Sequence, residues 1–351
     1  MKNIILFQPD NDLMEKVTRL PKGEYSIVGS VDANPKDLFQ YDFDFICIPL
    51  RNYREIKQEL MQFFDCSMIH TYEELRVLGS ERLVNQRIIK KWKTNNKLEV
   101  QDNEGRTVIV FGGASGIGYS CAEAFSLTGA TVIIAGRNEE RLMKAAKELG
   151  VFYLMWDISR VEQNEMLLAK ARSLVGGRID TIVNSAGVFD LDSTSFFEVT
   201  EKVYDTVMDT NLKGAFFLCQ TFSEYFIREG IEGHIVNIVS ETGCSPTVKP
   251  YGISKWGLWG FTRGLGLTLA KYNITVNGVA PGEVATEMTG WGGKEKNREP
   301  ARRGREIGRV LFSREVAEWV LFLSSESGRI MPGEVITLNG GQLGRYIGLN
   351  Y

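Results

Sequence analysis

The chain has 351 residues, 43% hydrophobic and 24% charged, a composition typical of soluble globular proteins and a length that suits one large or two ordinary domains. A net charge of −3 argues against nucleic acid as a partner, and no stretch reaches the roughly 18 apolar residues of a membrane span. Five scattered cysteines with no Cys-x-x-Cys pair, and only two histidines (His70 and His234), argue against a disulfide frame, a metal site or a Ser-His-Asp triad.

The opening "MKNIILFQPD" turns polar too soon for a signal peptide, so a cytoplasmic protein with reduced thiols is expected. Residues 1–93 predict a small Rossmann-like α/β module. Its strands are "NIILFQ", "YSIVGSVD" and "FDFICIPL", and its helices are "NDLMEKVTRL" and "RNYREIKQELMQFF". After the first strand, "QPDND" lacks the glycines that let a pyrophosphate approach the backbone. Asp32 stands where a ribose-binding acid could sit, but without that loop a structural or recognition role is the better reading. The polar run that follows predicts a linker over 94–105.

From residue 106 to 351 the chain alternates buried-strand patterns with amphipathic ones. "RTVIVFGG", "ATVIIAGR", "VFYLMWD", "DTIVNSAG", "GHIVNIVS" and "ITVNGVAPG" read as strands, and "SCAEAFSLTGA" and "EERLMKAAKELG" as helices. The alternation predicts a doubly wound parallel sheet, the Rossmann fold, with a ligand site at the carboxyl ends of its strands. The first strand runs into "GGASGIG", where Gly112, Gly116 and Gly118 flank Ser115 and Ile117. Glycines there permit a sharp turn and bare backbone N–H groups facing a phosphate at a helix N-terminus; a plain tight turn is the alternative.

Further on, "PYGISKWG" places Tyr251 and Lys255 at i and i+4, on one helix face. An ammonium within a few ångströms favours the phenolate, so the pair can serve as a tuned acid/base, although the spacing alone is a weak signal. Residues 291–305 then hold six basic residues (Lys294, Lys296, Arg298, Arg302, Arg303 and Arg305) against Glu295 and Glu299. Such a loop would attract an anionic substrate, or simply form a solvated face or an oligomer contact. Gly290, Gly292 and Gly293 suit a hinge beside it.

The glycine loop, "NSAG" at 184–187, "YGISK" at 251–255 and "PGEVATEM" at 281–288 follow one another in the order and approximate spacing of the short-chain dehydrogenase/reductase family. Residues 106–351 resemble a whole domain of that family. The resemblance implies an oxidoreductase that moves hydride between NAD(P) and a carbonyl or alcohol, in dimers or tetramers. In it, Tyr251 resembles the acid/base and Lys255 the lysine that tunes it and holds the nicotinamide ribose. Ser240 resembles the serine that bonds the substrate oxygen, and Asn211 the asparagine that keeps a water in the proton relay. Read without the resemblance, the first is an ordinary strand-end serine and the second a structural asparagine.

Gly112, Ser115, Gly116, Ile117, Gly118, Asn184, Gly187, Pro281, Gly282 and Thr286 resemble the cofactor-binding positions, and Asp157 the aspartate that meets the adenine. In "IIAGRN", Gly136 takes the place of the usual ribose-binding acid and Arg137 follows, so a 2′-phosphate would meet a cation; NADP is preferred over NAD. Phe111, Ser185 and Glu241 depart from the family's usual residues. The basic loop, and the similarity in style of residues 1–93 to modules on enzymes of bacterial surface polysaccharide pathways, favour a nucleotide-linked sugar as substrate. A ketoacyl thioester or small ketone is the alternative, and a non-catalytic NADP-binding sensor or assembly module the alternative of another class.

Overall fold

Residue parity along each strand decides which face a side chain covers, and in both halves of the chain both faces are covered. A computed structural model describes residues 2–9, 13–14, 17, 25–31, 34–35, 38, 41–49, 53–64, 68–71, 103–189, 195–290 and 306–341. The chain divides into two compact units, Met1–Ile89 and Lys90–Tyr351.

In the first unit, β1 (Lys2–Phe7), β2 (Tyr25–Val31), β3 (Phe45–Ile48) and β4 (Ile69–Thr71) form a parallel sheet in the order β2-β1-β3-β4, with α1 spanning Tyr53–Leu60. Ile5 and Phe7 pack with Ile46, Ile56 and Leu60 on one side, while Ile4 and Leu6 pack with Leu13, Val17 and Cys47 on the other. This alternation is why "NIILF" reads as one apolar run: each face has its own cover. The three predicted strands are present; β4, three residues long, is missed by the sequence reading because so short a run carries no period of its own. Most of the predicted helix over 11–20, Asp32, Cys66, most of the linker and the whole basic stretch 291–305 lie outside the described residues.

The second unit has seven parallel strands in the order β11-β10-β9-β8-β5-β6-β7. They are β5 (Thr107–Phe111), β6 (Thr131–Gly136), β7 (Phe152–Met155), β8 (Thr181–Asn184), β9 (His234–Ile238), β10 (Thr275–Pro281) and β11 (Val335–Leu338). The chain runs outward through β5, β6 and β7, then returns to lay β8 on the other side of β5. That reversal is the switch point at which a doubly wound sheet opens a crevice. Along β5, Val108 and Val110 join one core cluster and Ile109 and Phe111 the other, so this inner strand is clamped from both sides. Each such side chain, fully buried, contributes about 1.5–3 kcal/mol.

Helices cover both faces: α2 (Gly116–Leu127), α3 (Glu139–Leu149), α4 (Asn164–Leu174), α5 (Glu201–Met208), α6 (Ala215–Glu229), α7 (Pro250–Leu269) and α8 (Ser313–Leu323). Local chemistry sets their ends. In α3 the Asn138 side chain caps the Arg141 N–H, two glutamates sit in the first turn, and Gly150 closes the helix in the left-handed region at φ 67°. The helix expected from residue 120 begins at Gly116 instead, because the glycine loop is itself the first turn of α2. β11 carries no signal of its own in the sequence; its four residues are recruited by β10, 57 positions earlier in the chain, in register pairs such as Gly278 with Val335. Among the described residues no helix is long and apolar enough to cross a membrane.

Candidate active site

The ends of β5, β8, β9 and β10 open onto one cavity of about 220 Å³. Gly112 follows β5, where its φ of 74° excludes most side chains, and a Cβ there would meet the Ser185 carbonyl oxygen at 2.8 Å. A Cβ on Gly118 would land on the Gly112 carbonyl oxygen. The loop and the first turn of α2 are therefore packed backbone to backbone. Gly112, Ser115, Gly116 and Ile117 line the cavity; Gly118 lies beneath it and makes the close packing possible. The Ser115 side chain makes no cap hydrogen bond to α2, a twelve-residue helix whose positive end faces the cavity. Side-chain-free backbone at a helix N-terminus fits the pyrophosphate of a dinucleotide.

Phe111, where the resemblance would place a threonine, is fully buried and meets Trp156 edge to face at 5.0 Å between ring centroids, with Phe222 at 6.1 Å. Aromatic packing beneath the loop takes the place of a hydroxyl bond. At the end of β8, Asn184 turns away from the cavity and donates to Asn237 Oδ1 at 3.2 Å, and Asn237 donates to Thr262 at 3.0 Å. Asn184 thus ties strands β8 and β9 together under the site, while Ser185, Ala186 and Gly187 form its floor.

Asn211 lies in a six-residue π-helical segment, Asp209–Gly214, between α5 and α6. The extra residue of a π turn redirects side chains, a common device at functional sites. Here it aims the buried Asn211 amide at the backbone of Val188, accepting from the Val188 N–H at 2.8 Å and donating to its carbonyl at 2.9 Å. The amide also donates to Ser254 Oγ at 3.2 Å, so Asn211 braces the loop after β8 against α7.

Ser240 ends the β9 segment and caps a short 3-10 turn. Its Oγ accepts from the Thr242 N–H at 3.2 Å and from the Thr242 hydroxyl at 3.0 Å, which leaves its own proton to direct into the cavity. One turn apart on α7, Tyr251 and Lys255 both line the cavity with Ser240. Lys255 Nζ stands 5.7 Å from the Tyr251 ring centroid and donates to the Ile238 carbonyl at 2.8 Å. His234, at the opposite end of β9, is buried against Thr275, and burial pushes its imidazole down to about 2, with Arg106 and Arg329 adding to the effect. It is neutral and a strand's length from the cavity.

Burial also pushes the Lys255 ammonium down to about 8, against an ordinary lysine near 10.5. Between those values the unfolded chain binds more protons than the folded one. The cost of burying the charge is full below pH 8 and fades as pH rises toward 10.5. The melting temperature of the wild type relative to Lys255→Met is accordingly expected to rise from pH 8 to pH 10; a difference flat across that range would show that Lys255 does not titrate there.

Pro281, Gly282 and Thr286 complete the predicted lining, joined by Ile238, Val239, Val284, Glu287, Met288 and Thr289, which the sequence reading did not single out. Thr289 knots this loop: its hydroxyl bonds the Val284 carbonyl at 2.5 Å and accepts from the Thr286 N–H at 3.1 Å. The "TEMT" spacing of the two threonines is the one sequence signal for it. Arg137 and Asp157 do not line this cavity. Arg137 faces a neighbouring one of about 470 Å³, together with Ser159, Lys202, Thr206, Thr210 and the carboxylates of Glu201, Asp205 and Asp209. Asp157 is joined to that second cavity through Ser159, whose hydroxyl it accepts at 2.7 Å.

The sequence pattern of short chain dehydrogenases matches residues 106–297. The chain belongs to the short-chain dehydrogenase/reductase family. It is an NAD(P)-dependent oxidoreductase, and the sheet order and glycine loop described above are that family's fold. A 3-oxoacyl-[acyl-carrier-protein] reductase of Thermotoga maritima is 36% identical over 245 residues, 68% of this chain and 98% of the relative. An NAD-dependent glycerol dehydrogenase of Listeria innocua is 33% identical over 242 residues, 67% of this chain and 93% of that protein. Among solved structures, an actinorhodin polyketide ketoreductase variant with NADPH is 31% identical at a TM-score of 0.61, covering 68% of this chain and 97% of that one.

Proposed function

We propose that this family member is a carbonyl reductase acting on a 3-oxoacyl thioester or a closely similar ketone, with Tyr251, Lys255, Ser240 and Asn211 as its working set. The observation that carries the reading is the shared lining of one cavity by Tyr251, Lys255, Ser240 and the glycine loop. Gly112, Ser115, Gly116, Ile117, Gly187, Pro281, Gly282 and Thr286 would hold NAD(P)H, which when bound would supply a hydride. Tyr251 Oη gives the substrate oxygen its proton during reduction and takes it back in the reverse direction. Ser240 Oγ donates to the same oxygen as negative charge grows on it. Lys255, held by the Ile238 carbonyl, favours the tyrosinate through its charge, and Asn211 keeps the loop after β8 in place against α7.

The 3-oxoacyl reading is supported by the names of the relatives, among them the Thermotoga maritima reductase. The nucleotide-sugar reading rests on residues 291–305 and on the style of residues 1–93, and stands second. For the cofactor, Arg137 supports NADP: it stands directly after β6, with Gly136 in the place of the usual ribose-binding acid. The test follows NADPH and NADH consumption against 3-oxoacyl thioesters, simple ketones and nucleotide-linked keto sugars. NADPH-dependent turnover of the thioesters is the expected result; turnover of keto sugars alone, or a preference for NADH, would overturn the corresponding part.

Assembly into a homodimer or homotetramer is part of the same reading. Trp256 and Leu267 of α7 stand 49% and 70% exposed, and the half-exposed Phe216 of α6 lies 4.8 Å from Phe261 of α7. Apolar surface of this kind on two adjacent helices suits a second copy. Light scattering is expected to give at least twice the monomer mass, with Phe216→Asp shifting the protein toward monomer; a monomeric wild type at micromolar concentration would overturn it.

A further inference from the structure

We infer that Phe189 is a specificity residue, an apolar wall beside Tyr251 that favours substrates carrying an alkyl or aryl group next to the reacting carbonyl over substrates carrying hydroxyls there. The inference rests on the reading of Tyr251 as the acid/base and narrows its substrate. Phe189 lies two residues beyond Gly187, directly after Val188, whose N–H and carbonyl are both held by Asn211. That clamp fixes the backbone from which the ring projects. The ring meets Tyr251 at 4.6 Å between centroids with planes inclined at 59°, a tilted aromatic contact across 62 positions of sequence.

In spite of this contact Phe189 stays 42% exposed, so one side of a large apolar ring remains open beside the tyrosine. Met288, which lines the same cavity as Tyr251, is 47% exposed. Exposed apolar side chains flanking a reacting group gain contact when an apolar substituent covers them. A hydroxylated substituent in the same place would give up water without a partner on either side chain.

Wild type, Phe189→Ser and Phe189→Leu are to be compared on two 3-oxo thioesters of equal length, one with a plain alkyl chain and one hydroxylated on that chain. Phe189→Ser is expected to lose about tenfold in kcat/KM on the alkyl substrate, through KM, and to stay within about twofold on the hydroxylated one. Phe189→Leu should restore most of the loss. Equal losses on both substrates, carried by kcat, would reduce Phe189 to a brace for Tyr251 and overturn the proposal. Ligand-observed NMR with the oxidised cofactor, which permits no reduction, reads binding separately. A wild-type preference for the alkyl ligand that disappears in Phe189→Ser supports the wall even if turnover is absent, in which case only the Tyr251 reading falls. Equal binding of the two ligands by the wild type overturns the wall whatever the kinetics show.

Discussion

Tyr251→Phe is expected to lower turnover by about a thousandfold while NAD(P)H affinity stays within about twofold. The substitution removes one atom, the phenolic oxygen, and keeps the ring that packs on Phe189 at 4.6 Å. Lys255 remains tied to the Ile238 carbonyl, so the rest of the cavity lining is untouched. The loss therefore falls on proton transfer and not on binding. Steady-state rates with the preferred cofactor, alongside quenching of nicotinamide fluorescence, separate the two. A variant with nearly full activity would remove Tyr251 from the chemistry. A wild type that binds NAD(P)H and turns over nothing in the panel would favour the sensor or assembly reading, with residues 1–93 as the next place to look.

The second large effect is expected at Gly118. A Cβ there falls on the Gly112 carbonyl oxygen, and also within 2.7 Å of that carbonyl's carbon and 3.2 Å of Gly113 Cα, so every near neighbour is backbone. No side chain can rotate to relieve the overlap; α2 must move away from β5, and the loop between them must open. Gly118→Ala is expected to destabilise the protein by about 2–3 kcal/mol and to weaken cofactor binding by tenfold or more, on the order of 1.4 kcal/mol of binding for each factor of ten. Gly260→Ala, also within a helix, is the matched control, because a Cβ there would meet nothing within 4 Å. Chemical denaturation and fluorescence titration of the two variants provide the comparison. Equal stability and cofactor affinity in Gly118→Ala and wild type would show that the loop is not packed in this way.

The same contrast separates the readable parts of the molecule from the rest. By itself the sequence determined the alternation of strands and helices from residue 106 onward, the glycine turn after β5, and the placing of Tyr251 and Lys255 on one helix face. All of these are set by neighbours within a few residues: apolar periodicity, glycine's freedom at φ 74°, and the four-residue repeat of a helix. The family resemblance drew on the same local motifs, taken together in their order.

Tertiary structure alone decided what those motifs meet. β4 and β11 are three and four residues long, and each forms only because a strand far away in sequence offers it a ladder. Strand order brings the ends of β5, β8, β9 and β10 to one opening, and so makes Ile238 and Thr289 part of the lining although neither lies in a motif. Asn211 reaches Val188 because a π segment turns its amide there, and Asn184 is turned beneath the site toward Asn237 and not into the cavity. Phe189 comes to rest on Tyr251 through the return of β8 to the side of β5. Contacts of this kind depend on how distant elements pack, and no local period in the chain encodes them.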